Sequence, residues 1–131
     1  MSDAEFLAAF EDCSLDNHLL RHREHVRLTW LYLQQWGEPE TRVRLPGGIR
    51  KYAAAQGASE KYHHTVTLAW IRLIAAAARS CPTLEATLSQ HPELLDKNWL
   101  HGFYSEAVLS SVQARRAWVE PDLAPLPPQA A

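Results

Sequence analysis

Apolar residues recur at three- and four-residue spacing from about His18 to Trp36, and the pattern returns from about Glu60 to Ser80. No stretch alternates apolar and polar residues between hairpin turns. These two signals demand helices and leave a sheet nothing to build on. The expected fold is all-α: a single-domain, irregular helical bundle of about six helices. It should span residues 1–120 and end in an extended, proline-rich tail over residues 121–131.

Chain length supports one domain. With 131 residues, 47% of them hydrophobic and 21% charged, the chain can bury a real core, so disorder is excluded. Stop and start signals divide it. A first helix runs from Asp3 to about Cys13. A second runs from about His18 to Trp36 and stops at Gly37. Pro39 opens a third, which Pro46-Gly47-Gly48 interrupts before it resumes through Tyr52 to Gly57. Ser59 caps a fourth, which Pro82 ends. Short helices follow around Thr83–Gln90 and Pro92–His101, then a last one from Ser105 to Trp118 with a break near Ser110-Ser111.

Composition also narrows function. A net charge of −2 without a clustered basic excess argues against nucleic acid. Arg42, Arg44, Arg50 and Lys51 read as a solvated helix face. No apolar run is long enough to span a membrane, and the acidic N-terminus has no basic n-region. Cys13 and Cys81 lack metal or redox spacing and read as reduced thiols of a cytoplasmic protein. Trp36 and Trp70 read as core packing, with a Trp-lined flavin or haem pocket the less favoured use.

The unexpected feature is imidazole on apolar helix faces. With His22 at zero on a helical wheel, Val26, Thr29, Leu33 and Trp36 fall within about 40°, and His25 sits about 60° to one side. On the fourth helix His63 shares its face with Thr67, Trp70 and Ile74, and Glu60 lies about 60° away. Buried imidazoles are costly to charge and their nitrogens need partners. One divalent metal ion, zinc, iron, nickel or manganese, would satisfy several at once. His22, His25 and His63 are therefore the candidate metal ligands, with coordination positions left open for water or substrate. Glu60 is the candidate fourth ligand or general base, and Tyr104 a proton donor. The site requires the two helices to run parallel or to cross steeply.

Three blocks, HREHVRLTWLYL, KYHHTVTLAW and FYSEAVLSSVQARRAWVEPDLAPL, resemble a group of short bacterial all-helical proteins without an assigned activity. The shared pattern falls on His22, His25, Trp30, Tyr62, His63, Thr65, Thr67, Tyr104, Ser105, Arg115 and Asp122. The resemblance implies a bacterial, cytoplasmic helical domain and no particular chemistry. Three readings follow. The first is a metal-binding helical domain acting as a small metal-dependent enzyme. The second is a non-catalytic scaffold or regulatory module whose histidines are structural. The third is a metal-free binder of a small-molecule ligand that uses His and Tyr.

Overall fold

A computed structural model describes residues 1–129, which contain helices, turns and no strand. The fold class is all-α, as the periodicity requires. The internal contacts divide the chain into two compact units, Met1–Tyr62 and a second starting at His63. The sequence reading has one helical domain over residues 1–120 and a tail over residues 121–131. The tail as far as residue 129 belongs to the second unit, and residues 130–131 of the expected tail lie outside the described residues.

In the first unit, helix α1 covers Asp3–Glu11. Ser2 and Glu5 close it reciprocally: Ser2 Oγ accepts from Glu5 N–H at 3.1 Å, and Glu5 Oε1 accepts from Ser2 N–H at 3.0 Å. Helix α2 covers His22–Ala55. The span is two helices that meet at Gly37, where the sequence signals a stop. Gly37 alone leaves helical geometry, at φ 77°, a conformation glycine adopts without steric cost. The result is a kink followed by a new helical segment that Pro39 opens as expected. The expected interruption at Pro46-Gly47-Gly48 does not occur. Leu45 and Pro46 are buried, and a Cβ on Gly48 would lie 3.1 Å from the Phe10 ring. Packing on Phe10 thus outweighs the poor helix propensity of these residues.

The core of this unit is Phe6, Phe10, Leu15, Val26, Leu28, Tyr32, Leu45 and Tyr52. The Phe10 ring meets Tyr32 edge-on at 6.2 Å and Tyr52 at 5.7 Å. Helix α2 ends in a Schellman motif. Ala58 N–H donates to Ala53 O at 2.8 Å and Gly57 N–H to Ala54 O at 3.0 Å, with Gly57 left-handed at φ 69°. A short 3₁₀ turn, Ser59–Lys61, then packs back on α2. Trp36, expected in the core, is 38% exposed, and Arg44 stacks 3.7 Å over its ring.

In the second unit, α3 covers His64–Ala78 and buries Leu68, Ile71, Leu73 and Ile74. Each such side chain is worth roughly 1.5–3 kcal/mol. Helix α4 is Leu84–Gln90, capped by Thr83. Two 3₁₀ turns, Pro92–Leu95 and Lys97–Gly102, lead to α5, Glu106–Leu109, and α6, Val112–Arg116. The break near Ser110-Ser111 is real: Ser105 caps α5 and Ser111 caps α6. Trp99 stands between Trp70, at 6.2 Å, and Phe103, at 5.4 Å. Cys13 and Cys81 are free thiols, Cys81 buried and Cys13 half-buried. No helix among the described residues is long and apolar enough to cross a membrane.

Candidate functional site

His63 is the N-cap of α3 and not a residue of its core face. Its Nδ1 accepts from Val66 N–H at 3.1 Å, and its Nε2 lies 2.7 Å from Leu109 O. A carbonyl only accepts, so Nε2 carries the proton and Nδ1 supplies the lone pair. That one tautomer satisfies both bonds and leaves no lone pair for a metal. Below it, Thr67 Oγ1 donates to His63 O at 2.8 Å.

Around this cap the tail is laced to the second unit. Thr65 Oγ1 donates to Ala117 O at 2.7 Å and accepts from Val119 N–H at 3.1 Å. Tyr104, fully buried, donates its hydroxyl to Val119 O at 2.7 Å. Burial, reinforced by the Glu120 charge, pushes the Tyr104 phenol up, which suits a permanent donor and not a proton shuttle. Asp122 Oδ1 accepts from Ser105 N–H at 2.8 Å, and hydrogen bonding from the Ser105 side chain first, then from this amide, holds the Asp122 carboxyl below its ordinary range. Arg72 and Arg79 donate to the carbonyls of Pro127 and Pro128. The Asp122 contact with Ser105 and these two arginines pin the tail within the second unit.

His22 and His25 belong to the first unit. His22 is the first residue of α2 and half-buried, not central to a buried stripe. Glu24 Oε1 accepts from Arg21 N–H at 3.1 Å and steadies this helix start. His25 is half-buried one turn in, and its ring receives no hydrogen bond from any described residue. Burial first, and the neighbouring His22 second, push its imidazole down to about 4, against the pull of Glu24. It is therefore neutral at physiological pH, with one donor and one acceptor nitrogen.

His25 borders a half-open cavity of about 390 Å³. Leu20, Ile49, Ala53 and Ala58 supply apolar wall, Tyr62 an aromatic face, and Asn17, Gln56 and Lys61 polar groups. Tyr52 lines it too, but its hydroxyl is committed to Leu15 O at 2.6 Å. The size lies in the lower part of the range for small-molecule sites. Nothing in the helical wheel marks Lys61 or Tyr62 as site residues. The available signal was Gly57: a left-handed stop there folds the next residues back on the helix they have just left.

The candidate metal ligands fall in both units, His22 and His25 in the first and His63 in the second. Among the described residues no group of three or more His, Cys, Asp or Glu side chains is disposed to hold a metal ion. Glu60 is exposed in the 3₁₀ turn, and Tyr104 is held by the tail. Of the residues in the shared sequence pattern, His63, Thr65, Thr67, Tyr104, Ser105 and Asp122 all serve internal hydrogen bonds. His25 and Tyr62 instead face the cavity. Comparison with known proteins returns no match among family models, curated proteins or solved structures.

Proposed function

We propose that this chain is a metal-free, small-molecule-binding helical module whose site is the cavity around His25. One observation carries the reading: His25 lines a half-open apolar cavity and finds no hydrogen-bond partner among the described residues. A half-buried imidazole that opens on a cavity wall without a protein partner offers its donor and acceptor to whatever enters the cavity, water or ligand. The second unit, with its fully used hydroxyls and His63 cap, acts as scaffold in this reading. The metal-binding alternative is less well supported, because His63 would have to release its α3 cap before offering Nδ1 to an ion.

Ligand-observed NMR with a fragment library, run beside elemental mass spectrometry of untagged protein, tests this. Fragments that bind wild type and are lost in His25→Phe support the cavity. Near-stoichiometric metal that disappears in His63→Ala would overturn the proposal in favour of the metal reading. The absence of any fragment competing at the cavity would overturn it in favour of a pure scaffold.

A further inference from the structure

We propose that the occupant of the His25 cavity is a small organic acid, an apolar or aromatic body carrying one carboxylate. This rests on the reading of that cavity as the binding site. The charge lining it is one-sided. Lys61 stands on its wall, His18 and His25 contribute imidazoles, and no aspartate or glutamate lines it. The Arg50 guanidinium lies 4.7 Å over the ring of Tyr62, although Arg50 itself does not line the cavity.

Two carboxylates, Asp16 and Glu24, act electrostatically on the lining residues Tyr52 and His25, but neither lines the cavity itself: Asp16 Oδ1 accepts from His18 N–H at 2.9 Å, and Glu24 accepts from Arg21 N–H. Glu60, beside Lys61 in the turn, is not among the lining residues. An ammonium ligand would meet Lys61 without a carboxylate to offset it. A wholly apolar ligand would leave the imidazole of His25 and the amides of Asn17 and Gln56 unsatisfied. A carboxylate accepts from Lys61 by a charge-assisted bond and from the N–H of a neutral His25. Its body then covers Leu20, Ile49, Ala53 and the Tyr62 ring.

The size agrees. A cavity of about 390 Å³ accommodates a single ring or short chain.

The test compares three probes of one shape, phenylacetate, phenylacetamide and phenethylamine, by amide chemical-shift titration of the full chain at neutral pH. Phenylacetate should move the amides of His25, Ala53 and Lys61 and bind roughly tenfold tighter than the amide, one charge-assisted bond's worth. Lys61→Gln, an exposed change that leaves the fold intact, should erase that preference while the amide's affinity holds. Two results would overturn the acid assignment alone: phenylacetamide or phenethylamine binding the cavity as tightly as phenylacetate, or a preference that survives Lys61→Gln. If none of the three probes nor any library fragment moves the cavity amides, the underlying reading falls with it.

Discussion

His63 and His25 are the same side chain at a helix start, in two units of one chain, and they have opposite fates. His63 uses both nitrogens. One caps α3 and the other holds Leu109 O. His25 uses neither on the described residues, and its imidazole sits in an environment that disfavours charge. An imidazole among apolar residues is thus not one signal. It is a structural fastener where backbone groups converge on it, and a vacant donor and acceptor where a cavity does.

The contrast breaks first at His63. His63→Ala removes an N-cap, worth about 1 kcal/mol. It also leaves the Leu109 carbonyl without its partner, worth about 1–3 kcal/mol. We expect a combined loss of roughly 2–4 kcal/mol in urea denaturation, with His63→Asn recovering the cap but not the Leu109 bond. A neutral His63→Ala would place His63 beside His25 and dissolve the distinction.

The next largest effect belongs to His25 and appears only as pH falls. Its folded value, about 4, lies below the ordinary 6.5. Between those values the unfolded chain takes up a proton that the folded chain refuses. Stability is therefore full above about pH 6.5, falls by at most about 1.4 kcal/mol per pH unit on acidification, and levels off below about pH 4. His25→Leu should flatten that part of the profile while costing little at pH 7.5. Identical wild-type and His25→Leu slopes across the window would show His25 to be as well satisfied as His63.

Smaller effects sharpen the scaffold side. Thr65→Val deletes the hydroxyl that binds Ala117 O and Val119 N–H, with little change in volume. We expect about 1–2 kcal/mol, measured by thermal or urea unfolding. Asp122→Ala should do least, since its carboxylate is exposed: the Ser105 amide should exchange faster with solvent while global stability hardly moves.

Much of this was readable in the chain. Periodicity announced helices and Ser105 announced the start of α5, because capping is a local transaction between a side chain and amides two or three residues on, whereas Ser59, read as the cap of the fourth helix, only opens a 3₁₀ turn and His63 caps α3. The tail's proline content announced an extended strap. The site was less readable. The wheel put His22 and His63 on buried faces because it assumed that the helices contained them in mid-run. Helix starts at His22 and His64 moved one to the first turn and the other to the cap.

The sequence by itself determined the all-α class, the apolar stripes, the Ser105 cap and the left-handed stop at Gly57, since each depends on neighbours within a few bonds. Tertiary structure alone decided that the helix runs unbroken through Pro46-Gly47-Gly48, that Gly48 makes room for Phe10, and that two like histidines diverge. Those outcomes depend on contacts between distant residues, such as His63 with Leu109 or Phe10 with Gly48. No local pattern encodes which carbonyl, ring or cavity will arrive beside a given side chain.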